Sequence, residues 1–360
     1  MKPQHLIPLS LAAMAGAAHA QSSVTLYTLL DVNVSHYSAG SQSGAGSVWK
    51  MQDGTVNGLN GSRWGIRTSE DLGGGLRANV LAEAGLLADT GSAAQGGRAF
   101  GRQVYVALSQ AGVGEVRLGR QYILEDSVMA LTNPFANALV SNPSTSVNNA
   151  GRNLPLWLNA PRADNVVQLQ TASLGGFMLA AQVAPGEGTA DRFQGVRLAY
   201  AGGPLNAALS YEMNKSRSTG DTTNKSLTIG ANYDFGVLKL MGGLQRNSDL
   251  ATGSGNGAAV GVSNLVVTGA SSLTMTDLNG YTIGAEIPVG TATVLGVNYT
   301  GVKYESATGQ SLTLGKAALT ARYGLSKNTF LYTGVSMATG DLKNYIAEKT
   351  VVQAGMRAAF

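Results

Sequence analysis

From Val24 onward the chain repeats one unit: a segment of about ten residues in which apolar side chains alternate with polar or small ones, followed by a break. VLKLMGGLQ (237–245) and ATVLGVNYTGVKY (292–304) show the pattern. The breaks are of two kinds, and the kinds alternate. The short ones are EDLGGG (70–75), QAGVG (110–114), SLGG (173–176), AGGP (201–204), DFG (234–236), PVG (288–290) and LSKN (325–328), where Gly, Asp, Asn and Pro supply the backbone angles of tight turns. The long ones are polar and fall at about 38–60, 89–97, 122–161, 185–192, 216–224, 248–279, 305–315 and 340–349. Seven short turns and eight long loops join sixteen strands. An even number of antiparallel strands, with short turns at one end and long loops at the other, is the layout of an outer-membrane barrel. The expected fold is therefore all-β, a sixteen-stranded antiparallel transmembrane β-barrel with no internal domain boundary. A secreted sandwich or β-helix accounts for the turns but not for the two-ended asymmetry of the loops.

The two termini fit this reading. Residues 1–20 carry Lys2 in a short polar start, an apolar run from Leu6 to about Ala18, and Ala18-His19-Ala20 as a small-x-small cleavage signal. They are expected to be a secretory signal peptide removed after Ala20. The apolar run is shorter than the ~20 residues of a spanning helix. The barrel domain is then 21–360. At the other end, Val352, Ala354, Met356, Ala358 and Phe360 share one face of an extended chain, and Gln353, Gly355 and Arg357 share the other. In lipid every backbone polar group must be paired, so the first and last strands must meet and a strand can run to the last residue. Phe360 is expected in the aromatic girdle at the membrane edge.

Composition removes other classes of function. Lys and Arg number 25 against 21 Asp and Glu, for a net charge of +4, so nothing argues for nucleic acid. Cysteine is absent, and of three histidines His5 and His19 lie in the leader. One remaining histidine, His36, excludes in practice a metal cluster or a Cys/His site. A Ser-His-Asp triad would have to use His36, and no G-x-S-x-G elbow stands near a helix. Glycine runs such as GVGEVRLG lack the lysine and the following helix of a phosphate loop. The chain is not expected to be an enzyme or to carry a cofactor or metal, and His36 is read as a loop-edge or girdle residue.

Alternation assigns faces to the charged residues, because a charge on the lipid face costs about 2–4 kcal/mol at the midplane. In SRWGIRT, Trp64 and Ile66 face lipid, so Arg63 and Arg67 face water. In LRANVLAEAG, Leu76, Val80 and Ala82 face out and Arg77, Asn79 and Glu83 face in. Val116 and Leu118 put Glu115 and Arg117 inside, and Leu319, Ala321 and Tyr323 put Arg322 inside. Two arginines stay open. Arg102 shares parity with Val104, Val106 and Leu108, so parity puts either Arg102 or Tyr105 in lipid. Arg120 lies where a strand yields to the long third loop, and parity does not reach it.

GSRWGIRTSEDLGGGLRANVLAEAG (61–85), FGRQVYVALSQAGVGEVRLGRQY (100–122) and PRADNVVQLQTASLGGFMLAAQV (161–183) resemble the strands around loop 3 of the beta-proteobacterial trimeric general porins. SVTLYTLLDVNV (23–34) resembles their first strand, and Phe360 their terminal assembly signal. The combination of SRWG…SEDLGGGL with GRQ…LGRQY is what makes the resemblance specific. It implies a trimeric, water-filled channel for passive diffusion of small hydrophilic solutes and ions, often anion-preferring, narrowed by loop 3 folded into the lumen. It also implies an outer-membrane location in a Gram-negative bacterium, contact with outer-membrane lipid and lipopolysaccharide, and insertion by the barrel-assembly machinery.

The resemblance places Arg63, Arg102 and Arg162 in a basic ladder on the wall, with Arg67, Arg77, Arg120 and Arg322 as further candidates. Glu83 and the loop-3 acids Glu125 and Asp126 would oppose or balance it. A guanidinium stays charged at any working pH and offers several donors to a carboxylate, phosphate or sulfate. The plainer alternative is that these arginines pair with nearby acids and only hold the wall and loop 3 together. Loop 3 departs from the family pattern: TNPFANA has Asn133 before Pro134 and Phe135, where an acid is usual, and SNPSTSVNNAGRNLPLW (141–157) is long. A substrate-specific anion channel, and a barrel adhesin or receptor acting through its external loops, are the competing readings.

Overall fold

The structure is a computed structural model and describes residues 23–38, 46–141, 156–158, 160–250, 266–267, 273–344 and 349–360. The leader expected at 1–20 and the middle of loop 3 lie outside them. Sixteen strands form one closed antiparallel ring. They are β1 (Ser23–Tyr37), β2 (Arg63–Gly73), β3 (Leu76–Leu87), β4 (Gln103–Gln110), β5 (Gly114–Tyr122), β6 (Arg162–Thr171), β7 (Phe177–Ala184) and β8 (Arg192–Gly202). The ring continues through β9 (Leu205–Lys215), β10 (Thr222–Asp234), β11 (Lys239–Ser248), β12 (Leu273–Val289), β13 (Thr293–Ser306), β14 (Ser311–Gly324), β15 (Thr329–Thr339) and β16 (Thr350–Ala359). Each strand pairs with the next, and β16 pairs with β1 from Leu29↔Ala359 to Tyr37↔Val351. The backbone of Phe360 completes the seam, exchanging hydrogen bonds with Thr28 at 3.1 and 3.0 Å. No helix among the described residues is long and apolar enough to cross a membrane.

The faces follow the alternation. Trp64, Ile66, Val80, Val116, Leu118, Leu319, Tyr323, Val352 and Met356 are exposed on the outside, while Gln353 is buried on the inside. Arg102 escapes the parity argument because it lies in the bend before β4, whose Val104, Val106 and Leu108 all face out. The loop ends differ from expectation. β12 begins at Leu273 rather than near 279, and the β13–β14 connection spans only 307–310 rather than 305–315. The reason is that Thr274, Asp277 and Asn279 are polar yet keep the ladder beyond the apolar band, past a bulge at Thr276. Polarity there marks the water level, not the end of the strand. The first long loop also contains a strand, Val48–Asp53, which pairs the upper half of β1 because β2 reaches only its lower half.

Loop 3 begins with helix α1 (Leu124–Met129) and a 3-10 turn at Leu139–Ser141. The helix packs against β7–β10 and the 3-10 turn against β13–β15. Met129, Leu156, Trp157 and Leu158 form one buried cluster with Met275, Leu278, Val302, Tyr304 and Leu314 of β12–β14. The wall makes room by omitting side chains. A Cβ on Gly280 would meet Trp157 at 2.7 Å, one on Gly230 would meet Thr132 at 2.5 Å, and one on Gly296 would meet Pro134 and Phe135 at 2.9 Å. These strand glycines carry no turn; they are a groove in which the loop sits.

Gly280→Leu is expected to push Trp157 out of its seat. Overpacking of this kind costs about 1–3 kcal/mol. A lower unfolding midpoint with a red-shifted tryptophan emission checks it, and unchanged emission would mean that the glycine groove does not position the loop.

Candidate functional site

The site grows from the ends of β2, β3, β5 and β6. Parity sets Arg63 and Glu83 on the inner face, and the bend before β4 swings Arg102 to the same place. Arg102 Nε donates to Glu83 Oε1 at 2.7 Å, and an Arg63 nitrogen lies 3.8 Å from Glu83 Oε2. Tyr27, on the inner face of β1, donates its hydroxyl to Glu83 Oε2 at 2.8 Å. The Tyr122 hydroxyl accepts from Arg102 at 2.6 Å and from Arg162 at 2.5 Å, and the Arg162 guanidinium lies 4.3 Å from the Tyr122 ring centroid. Arg63, Arg102 and Arg162 are thus brought together, as a cluster organised by one carboxylate and one phenol.

These arginines form one side of a cavity of about 260 Å³. Asp126, Asn137 and Leu139 of loop 3 line it as well, together with the first long loop from Gly54 to Gly61. The other candidates lie apart. Arg67 stands over the Tyr27 ring at 5.8 Å, one level nearer the short turns. Arg77 is exposed beside the turn and pairs with Asp71 at 3.4 Å. Arg120 bonds Asp164, which also holds Arg98, on the outward side of the rim. Arg120 is the register partner of outward Val104, and the bulge between Gly119 and Gln121 ends its regular alternation. Arg322 faces in, between Phe135 of loop 3 at 5.2 Å and Phe330 at 5.0 Å.

The two loop-3 acids separate. Asp126 lines the cavity, whereas Glu125 is buried against the wall, its Oε1 accepting from Ser226 at 2.8 Å and from Thr228 and Gln245 at 2.5 Å. Its backbone N–H donates to Glu212 Oε1 at 2.8 Å. Glu125 is an anchor. Gln245 also exchanges bonds with both backbone groups of Leu158, at 2.7 and 2.8 Å, so one wall side chain grips both ends of loop 3. Asn133 is buried too: its amide donates to Met129 O at 3.0 Å and its oxygen accepts from Asn137 N at 3.0 Å. A carboxylate could not make the first of these bonds. The turn it holds runs through left-handed backbone at Phe135, Ala136, Asn137 and Leu139, and Glu286 fixes it by accepting from Phe135 N at 2.7 Å.

Sequence reasoning did not single out Tyr27, Tyr122, Gln245 or Glu286. Tyr27 was within reach, since it shares parity with Asp31 and Asn33, which are both buried on the inner face. Gln245 and Glu286 act on a distant segment and carry no local signal. His36 faces outward at the rim, its ring 4.7 Å from that of Trp49, and no group of residues that could hold a metal occurs among the described residues.

A closed ring of sixteen strands, apolar outside and lined by polar and charged side chains within, defines a channel of the outer membrane. The chain belongs to the Gram-negative porin family, which it matches over residues 9–343. It is 32% identical over 394 residues to an outer membrane porin protein of Bordetella pertussis, with 100% of both chains covered. It is 33% identical to outer membrane porin protein 32 of Delftia acidovorans, covering 97% of this chain and 92% of that one. Among solved structures it is similar to an anion-selective porin from Comamonas acidovorans, with 28% identity, a TM-score of 0.72, and 94% and 100% of the two chains covered.

Burial pushes the Glu125 carboxyl above the usual carboxylate range, with Glu212 and Asp126 as the neighbouring acids. A group whose folded value is raised adds most stability at low pH, and loses it as pH climbs from the ordinary value of about 4.3 toward the folded one. Glu125→Gln keeps an accepting oxygen and does not titrate. The melting midpoint of the wild type, relative to the variant, is expected to fall through that window. Parallel pH curves for the two proteins would remove the titration of Glu125 from the account.

Proposed function

We propose that this porin passes small hydrophilic solutes and ions passively, with a preference for anions, through a lumen narrowed by loop 3 folded inside it. The observation that carries the preference is the charge balance around Arg162. Glu83 is shared by Arg63 and Arg102, but no carboxylate lies within ion-pair distance of Arg162 among the described residues. Its Nε is also without a partner. Three guanidiniums stand against Glu83 and the cavity-lining Asp126, so one cation is left unbalanced at the narrow point. An arriving carboxylate, phosphate or halide supplies the missing charge and is passed on rather than trapped, because Glu83 weakens the neighbouring sites. The anion selectivity of the Comamonas acidovorans porin agrees with this reading.

The same reading takes residues 1–20 as a cleaved leader, the exposed terminal Phe360 as the residue read during assembly into the membrane, and the working form as a homotrimer, as the family resemblance implies. No catalytic role belongs to it. A second reading, a channel specific for a small anionic metabolite, is favoured by the small cavity closed by two loops over the arginine cluster. Saturable transport with a blocking solute would select it.

The test is the zero-current potential of the reconstituted barrel across a KCl gradient. A unit charge about 4 Å from a passing ion is worth about 1–4 kcal/mol between aqueous and interfacial screening. Arg162→Gln is therefore expected to reduce chloride preference several-fold, and more than Arg77→Gln does. Potassium preference in the wild type would overturn the anion reading and give control to Glu83 and Asp126.

A further inference from the structure

A second pair of arginines faces the lumen at the short-turn end of β14–β16. Leu319 and Tyr323 of β14, Leu331 of β15 and Met356 of β16 are exposed on the outside, so Arg322, Phe330 and Arg357 project inward. Phe330 and Arg357 are register partners. The centre of the Phe330 ring lies 5.0 Å from the Arg322 guanidinium and 5.4 Å from that of Arg357, so one ring carries both charges. Phe135 of loop 3 lies 5.2 Å from Arg322. None of these four residues lines the cavity over Arg63, Arg102 and Arg162. Leu59 and Leu139 do line it, and they belong to the buried cluster against which Phe135 and Phe330 pack. An apolar partition therefore separates the two places.

The N–H groups of this pair are unspent. A guanidinium stacked on a ring keeps its donors in its own plane, so stacking leaves its edge free. Neither arginine donates a hydrogen bond to a described residue, and Arg357 Nε is buried without a partner. The acids facing this stretch are engaged elsewhere, and none is within ion-pair distance of either arginine among the described residues. Asp31, the register partner of Arg357, accepts from the Tyr332 hydroxyl and from Asn60 N, the latter at 2.8 Å. Glu286 accepts from Phe135 N at 2.7 Å and pairs with Lys239 at 3.2 Å. Lys327, in the turn before β15, adds an exposed cation. Two guanidinium edges beside phenyl rings suit a ligand that combines a planar oxyanion with a flat apolar body. Chloride, phosphate or sulfate would use the edges and leave the rings idle.

We propose that Arg322, Arg357, Phe330 and Phe135 form a second lumen site that takes carboxylates with an aromatic body. The carboxylate meets the guanidinium edges, and the ligand ring lies against Phe330. This site rests on the reading of the lumen as an anion path, and it adds a choice among anions.

The test uses the purified full-length barrel in planar bilayers, reading the concentration of benzoate or acetate that halves the chloride conductance. In the wild type benzoate is expected to act at roughly fivefold lower concentration than acetate, the scale of one aromatic pair. F330L keeps apolar volume but removes the ring, and is expected to bring the two concentrations together. R357Q is expected to raise both several-fold. R162Q, at the other cluster, is expected to leave their ratio as in the wild type. Conductance in KCl alone reports that each variant is folded and open. Absence of benzoate block in the wild type, or equal block by acetate, overturns the proposal. So does a ratio that survives F330L, or one that collapses in R162Q, which would put the aromatic acid beside Tyr122. Should F330L fail to insert, block unchanged in R357Q has the same force. Potassium preference in the wild type would sink the anion reading instead, and the ratio between two anions stays readable in that case.

Discussion

A backbone N–H or C=O left unpaired in hydrocarbon costs several kcal/mol, and the rest of this molecule follows from avoiding that cost. It forces the ladder from β1 to β16 to close on itself, so that Phe360 must find Thr28. It confines irregular backbone to the two ends of the barrel or to its inside. A ring of sixteen strands then encloses more space than wall side chains can fill. That space has to hold either water or more of the chain.

The third loop packs on the wall strands, and the means are polar. Glu125, Gln245 and Glu286 receive or supply the backbone and side-chain groups that an inward loop would otherwise leave unsatisfied. The apolar cluster around Trp157 adds burial on one side only. Arg63, Arg102 and Arg162 stand across the ring from those anchors, at the ends of β2–β6.

Much of this was legible in the sequence. Alternation alone gave the outward residues, because the penalty for charge in lipid acts at every second position and leaves a local trace. It placed Arg63, Glu83 and Arg322 correctly on the inner face. It could not place Arg102, since a single bend before β4 frees that side chain from parity. Loop boundaries slipped at Thr274–Asn279, where polar residues stay in the ladder above the membrane. Glu125 and Asp126 are adjacent and alike on paper, yet one is buried as an anchor and the other lines the cavity, because a helical turn separates their directions by about 100°. Asn133 reads as the loss of a charge from the opening, but its amide is spent inside the loop. The burial of Glu125 depends on contacts 101 to 120 residues away, which no short window contains.

Glycine in strands first reads as weakness or as a turn signal, and most short connections here do depend on it. The inner glycines of β10–β13 have another consequence. They act as a mould, since the loop is received where the wall has no side chains, beside the polar anchors Gln245 and Glu286. A seat made in this way is independent of strand number. Ordinary side chains at Gly230, Gly243, Gly280 and Gly296 would displace the loop from the wall, while leaving the circumference, the register and the lipid-facing surface untouched. Selection can therefore move such a loop through a few point substitutions on one stripe, with no need to add or remove a hairpin.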